Sequence, residues 1–203
     1  MITKQQLKSR QTQEELMAAA ILVFGKKGYT AATIAEITEA AGYAKGNFYR
    51  YWKSKDELFL DIMQARMQLH REERKLPLKA ASTGEEALAV LVDFLEALIA
   101  DDEWPKIFLE FTVQASGDQE VREKLNTHIY RLSSELFADI LLPYAKDYEK
   151  LRKLGALVTA LFEGYLIQRR MGSTVLDQRD LRAAILELGR PLFYPPPEKP
   201  RRS

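Results

Sequence analysis

The chain contains no cysteine, only two histidines and, ahead of its last ten residues, very little proline. Without cysteine there can be no disulfide framework, no thiolate nucleophile and no cysteine-ligated zinc. Two histidines without an HExxH arrangement leave a histidine zinc site short of ligands as well, so neither a metal nor a cofactor is expected. No stretch approaches the ~20 uncharged apolar residues that cross a bilayer. The opening MITKQQLKSRQTQEEL carries charge without a following apolar region, and the expectation is a cytoplasmic chain with no membrane partner. No nucleophile, base or metal set converges anywhere, so no catalytic residue is nominated. GKKG at 25–28 lacks the GK[ST] ending of a phosphate-binding loop and falls at a helix end.

What is present is enough for a core: 203 residues, 46% of them hydrophobic and 29% charged. The net charge of +1 conceals an asymmetry. Residues 1–55 hold 9 Lys and Arg against 4 Asp and Glu, whereas the remainder hold 21 against 25. A basic module on an otherwise neutral chain points to a polyanionic partner or to a solvated basic face.

Apolar residues recur at three and four positions apart and no run alternates as a strand would, so the chain reads as all-α, with about nine helices. The first helix is expected over 11–27, with Leu16, Ala20, Val23 and Phe24 on one face and Gly28 closing it. Thr33 and Glu36 have the spacing of a reciprocal capping box and open a short helix that ends near Ala41. Gly42 supplies a turn, and a helix from about Lys45 to Trp52 follows. Ser54 and Glu57 repeat the box spacing to start a helix that stops near Leu76 and Pro77. Helix, tight glycine turn and helix make the outline of a helix-turn-helix. Further helices are expected over 85–100, 105–115, 119–142, 148–171 and 180–192. The boundaries are a three-helix module at 1–53, a helical domain at 54–194 and a disordered tail at 195–203, PPPEKPRRS being unable to pack.

The stretch AGYAKGNFYRYWKSKDEL, residues 41–58, carries the chemistry. At ~3.6 residues per turn, Phe48 and Trp52 continue the face toward the preceding helices, while Lys45, Asn47, Tyr49, Arg50, Tyr51 and Lys53 fall elsewhere. In a helix-turn-helix the second helix enters a major groove. Lys45 suits guanine acceptors or phosphate, and Asn47 has the amide pair that matches adenine. Tyr49 can donate to a phosphate oxygen, Gly46 lets the backbone come close, and Lys55 adds charge near exposed helix amides. The competing reading makes the tyrosines partly buried rings and the lysines a solvated face; Tyr43 and Tyr51 stay open between the two.

Thr33, Ile37, Ala41-Gly42, Gly46, Phe48-Tyr49, Tyr51-Trp52, Lys55 and Leu58 resemble the signature of the TetR family of transcriptional regulators. That resemblance covers roughly residues 12–60. It implies double-stranded operator DNA as partner, with Thr33, Tyr49 and Lys55 at phosphates and Lys45, Gly46, Asn47 and Arg50 in or beside the groove. The sequence departs from the pattern at Thr38, at Tyr43-Ala44 in the turn and at Trp52. Ala44 lacks a hydroxyl that could cap the recognition helix, and Tyr43 is large enough to reach the backbone in its place.

The C-terminal part is similar to a subgroup that includes regulators of choline-betaine genes, through IFLEFTVQASGDQEVREKL and LGALVTALFEGYLIQRRMG. The resemblance implies a homodimer formed through the last two helices and a small-molecule effector held by the others. Leu154, Val158, Leu161, Tyr165, Leu181, Ile185 and Leu188 are the interface candidates, although a stripe that wide is core or interface by spacing alone. Phe94, Trp104, Phe108, Phe111, Gln114, His128 and Glu163 are the candidates for a ligand pocket. The expected function is a DNA-binding repressor released by an effector. The alternative is an all-α small-molecule-binding protein or a helical adaptor without a DNA-dependent role. Titration against random duplex at two salt concentrations separates them: the regulator binds and weakens steeply with salt, and the adaptor does not bind.

Overall fold

Residues 3–101 and 103–194 are described in the computed structural model, and the tail expected to be disordered, 195–203, lies outside them. Helix α1 (Lys4–Lys27) begins seven residues ahead of the expected start. Thr3 and Gln6 form a reciprocal capping box there. The added segment contains one large apolar residue, Leu7, itself exposed, so hydrophobic spacing carries no sign of it. The helix closes where the Gly28 amide bonds the Phe24 carbonyl at 2.8 Å.

Helix α2 (Ile34–Ala40) opens on the expected box, with Thr33 Oγ1 accepting from the Glu36 amide and Glu36 Oε2 accepting from the Thr33 amide. The Glu36 carboxylate also pairs with Lys27. That ion pair first, and the Thr33 bonds second, hold its pKa down at about 2. The turn after α2 closes with two bonds, Tyr43 N to Thr38 O at 2.8 Å and Gly42 N to Glu39 O at 3.0 Å. This paired arrangement requires a left-handed residue at Gly42, whose φ is 74°.

The second helix of the motif is shorter than its expected span. Helix α3 (Lys45–Phe48) makes one α-helical turn, after which Arg50 N to Asn47 O and Tyr51 N to Phe48 O wind the chain more tightly as far as Trp52. Two tethers account for the tightening: Tyr51 Oη donates to the Ser9 carbonyl at 3.0 Å, and Trp52 Nε1 donates to Asp61 Oδ2 at 2.7 Å. Helix α4 (Lys55–Ala80) then starts at Ser54, as expected, but passes through Pro77 instead of stopping there. Pro77 is exposed, so the intrahelical bond it cannot make is missed on a solvated side.

The remaining helices are α5 (Gly84–Ala100), α6 (Trp104–Ser116), α7 (Gln119–Leu125), α8 (Arg131–Leu141), α9 (Tyr148–Arg170) and α10 (Gln178–Phe193). The single helix expected over 119–142 is interrupted by a π-helical turn, Asn126–Tyr130. An inserted residue of that kind leaves the apolar spacing on either side nearly intact. No strand occurs among the described residues.

The chain packs as two compact units, residues 1–67 with 101–125, and residues 68–100 with 126–203. The first unit is therefore larger than the three-helix module at 1–53. Phe24 of α1 and Tyr29 complete their packing only with Phe59 of α4 and Phe111 of α6, at ring separations of 5.2 Å for Tyr29–Phe59, 5.2 Å for Tyr29–Phe111 and 4.3 Å for Phe59–Phe111. In the second unit α8 and α9 pack antiparallel, and α5 packs against α10, around Leu88, Leu91, Phe137, Leu154, Val158 and Ile185. At Gly155 an added Cβ would lie 2.8 Å from Phe137 Cβ and 3.0 Å from Ser134 Cα. Gly155→Ala is accordingly expected to lower stability by about 1–3 kcal/mol in urea denaturation, as overpacking does.

Candidate nucleic-acid interface

The helix-turn-helix has a locked side and an open side. On the locked side Phe48 is fully buried and Trp52 nearly so, their rings 5.4 Å apart. On the open side Lys45, Tyr49 and Arg50 are exposed and Asn47 is half-buried. Among the described residues the side chains of these four form no hydrogen bond or ion pair, although the Tyr49 ring stands edge-on to Phe48 at 5.4 Å. An added Cβ at Gly46 would meet nothing within 4 Å, so nothing inside the protein calls for glycine there. Thr33 is exposed at the start of α2. Ala44 begins α3 without a side-chain cap, as its missing hydroxyl implied.

The expectation that Lys55 meets phosphate needs correction. Its ammonium lies on the backbone carbonyls of Tyr29 at 2.6 Å, Ala32 at 2.9 Å and Thr30 at 3.2 Å, using all three donors within the unit. Its Nζ also sits 4.5 Å from the centre of the Tyr29 ring, and burial lowers its pKa. Lys55 is a clamp on the turn after α1. Tyr43, placed provisionally at the backbone of DNA, donates its hydroxyl to Glu15 of α1 and accepts from Thr12 at 3.4 Å. Tyr51 belongs to the domain interior through Ser9. Sequence reasoning missed both partners because they lie on α1, 28 and 42 residues away.

The ligand-pocket candidates divide between the two units. Trp104 stacks on Phe59 at 5.6 Å, Phe111 is fully buried in the same aromatic cluster, Phe108 is buried and Gln114 is exposed. The aromatic three are core of the first unit, since their rings fill the space between α4 and α6. In the second unit His128 is exposed on the π-helical turn, while Phe94 packs against His70 at 4.6 Å. Glu163 is mostly buried, hydrogen-bonded by Tyr130, and its Oε1 has no partner. Burial raises its pKa, against the smaller opposing effect of the Tyr130 bond. No group of three or more His, Asp or Glu residues suited to a metal occurs among the described residues, and no helix is long and apolar enough to cross a membrane.

The interface candidates divide too. Leu154, Val158, Tyr165, Leu181 and Ile185 are buried within their own unit and serve as its core. Leu161 and Leu188 are exposed, together with Leu157, which spacing did not single out.

An exposed basic and aromatic helix, set by a glycine turn behind a capped one, defines a helix-turn-helix DNA-binding protein. Residues 16–62 match the family described as bacterial regulatory proteins, tetR family. The chain is 28% identical over 167 residues to the HTH-type transcriptional regulator BetI of Rhizobium meliloti, covering 80% of this chain and 79% of that protein. It is 27% identical over 112 residues to the fatty acid metabolism regulator protein of Bacillus subtilis, covering 55% of this chain and 57% of that one. A solved structure of FadR from Bacillus subtilis in complex with stearoyl-CoA has the same fold, with a TM-score of 0.66 and 21% identity over 86% of this chain and 96% of that one. Residues 16–62 are thus similar to the DNA-binding segment of TetR-family regulators, and the chain at large is similar to HTH-type transcriptional regulators.

Two outcomes follow from this geometry. Lys55→Met strips three carbonyls of their donor and is expected to cost about 2 kcal/mol or more in urea denaturation, whereas Tyr49→Ala stays within about 0.5 kcal/mol. Glu163 has a folded pKa above its unfolded one, so its contribution to stability is complete below the unfolded value of about 4.3 and is lost as pH rises through the higher folded value. Glu163→Gln, which mimics the neutral acid, should therefore be more stable than the parent at pH 7. That advantage should shrink toward pH 4 when denaturation is followed across the range.

Proposed function

We propose that the protein is a homodimeric repressor that sets two copies of the segment 41–53 into successive major grooves of a palindromic operator and lets go when a small molecule occupies its C-terminal helices. The observation that carries the reading is the open side of the motif. Among the described residues the side chains of Lys45, Asn47, Tyr49 and Arg50 have no internal hydrogen bond or ion pair, and they surround a glycine at which an added Cβ would meet nothing within 4 Å. In this arrangement Lys45 and Arg50 supply charge, Asn47 reads a base edge and Tyr49 meets phosphate, while Thr33, expected at phosphate, is engaged with Glu36 at the start of α2. Lys55 and Tyr43 act one step behind, holding the turn and the recognition segment in place.

For dimerisation, Leu157 and Leu161 on α9 and Leu188 on α10 form the exposed apolar surface that a partner would cover. Gly164 of α9 supports the same reading: an added Cβ there meets nothing within 4 Å. A mid-helix glycine with no internal purpose costs about 1 kcal/mol relative to alanine, and a second copy approaching closely gives it one. Operator half-sites ~34 to 36 Å apart make the separation of the two heads the regulated quantity. Helix α4 supplies residues to both units and is the natural lever between effector and head. Coupling of that kind amounts typically to ~1–3 kcal/mol. The solved FadR structure in complex with stearoyl-CoA supports the small-molecule part of the reading.

Lys45→Ala and Arg50→Ala should weaken binding to all duplexes and flatten the salt dependence by about one unit of slope each, and Asn47→Ala should change base preference. Gly46→Ala should leave the fold as stable or slightly more so yet lower operator affinity in gel shifts; unaltered affinity would contradict the groove assignment. Leu161→Glu combined with Leu188→Glu should sediment as a folded monomer, and a persisting dimer would place the interface elsewhere.

A further inference from the structure

Arg74, in the second half of α4, is a buried charge without a counterion. It is 6% exposed, its Nε is shielded from solvent with no hydrogen-bond partner, and among the described residues no carboxylate pairs with it. Its guanidinium lies over the ring of Phe94 in α5, 4.3 Å from the centroid. His70, one turn earlier on α4, packs against the same ring, and its Nδ1 is 2.7 Å from Glu73 Oε2. The nearby carboxylate is thus engaged by histidine rather than by the arginine. Burial first, and the like charge of Arg71 second, lower the guanidinium pKa to about 10, which leaves it protonated at neutral pH.

Arg66 provides the comparison within the same helix. It stacks on Trp104 at the same 4.3 Å, yet its Nη2 meets Asp101 Oδ2 at 2.9 Å. The half-buried arginine–aromatic stack comes with its anion and the buried one does not. A cation over a ring recovers only part of what it loses on leaving water, so the stack alone is a poor reason to keep Arg74.

We propose that Arg74, held flat on Phe94, is the anchor for an oxyanion carried by the effector, either a carboxylate or a phosphate. The planar fork offers paired donors that match either head group, and the ring fixes the plane in which they are presented. This rests on the reading that the C-terminal helices take up a small molecule. It narrows that molecule to an anion and excludes a purely cationic or neutral one.

The test uses the full-length protein, the variants Arg74→Met and Arg74→Lys, and four eight-carbon probes: octanoate, octyl phosphate, octanol and octyltrimethylammonium. At least one anion is expected to raise the melting temperature of the parent by several degrees and to bind in calorimetry, with octanol and the ammonium doing neither. Arg74→Met should melt no lower than the ligand-free parent, because it removes an uncompensated charge, and should bind the anion at least tenfold more weakly. Arg74→Lys, which keeps the charge and loses the fork, should lie between them and serves if the methionine variant does not fold. Comparing octanoate with octyl phosphate identifies the head group. Equal binding of octanol or the ammonium, equal anion affinity in the variants, or no anion binding at all overturns the proposal. A gel shift with an operator selected from a random duplex pool separates this from the broader reading. An anion that binds through Arg74 without weakening the operator complex upholds the site and removes the effector role. A cationic or neutral probe that releases operator equally from parent and variants upholds the effector role and overturns the site.

Discussion

The turn that follows α1 is the constraint on which the DNA-binding unit depends. A chain that leaves a helix inside a protein carries carbonyls and amides with no helical partner, and each must be satisfied. Tyr29, with no exposed surface, stands at that point. Its amide donates to Glu110 of α6 at 2.7 Å, its phenol to Asp56 of α4 at 2.6 Å, and its carbonyl accepts from Lys55. Two helices far apart in sequence, α4 and α6, are therefore bound to one residue by hydrogen bonds as well as by its ring. The phenol, buried and beside Asp56, has its pKa raised, so it remains the donor in that bond at any working pH.

From that node the rest of the unit divides according to which polar groups are already used. Lys55, Tyr43, Tyr51 and Trp52 are taken up by internal partners and fix where the recognition segment begins and ends. Lys45, Asn47, Tyr49 and Arg50 have no such partner among the described residues and stay available. A binding surface has to be free in this sense, since a side chain already satisfied gains little by meeting DNA.

In the second unit, Arg74 and Glu163 are charged groups that carry a buried polar atom without a hydrogen-bond partner and make no ion pair among the described residues. Surface ion pairs such as Arg182 with Asp93 and Glu96 bind its helices at little cost. A buried guanidinium without an acid, and a buried carboxylate with one unpaired oxygen, are kept against a desolvation cost.

Local signals by themselves determined the all-α class, the capped start of α2, the glycine turn at Gly42, the burial of Phe48 and Trp52 and the free face of Lys45, Asn47, Tyr49 and Arg50. Each follows from neighbours within about one helical turn, where period, capping residues and backbone conformation act directly. Tertiary structure alone decided the use of Lys55, whose charge and position suited phosphate equally well until the Tyr29, Thr30 and Ala32 carbonyls were brought to it. It likewise decided which leucines of α9 and α10 are core, because one apolar stripe serves both ends, and only packing leaves Leu157, Leu161 and Leu188 uncovered. The unpaired state of Arg74 has the same origin. A sequence displays a charge, but whether a counterion reaches it depends on helices that meet only in the folded chain.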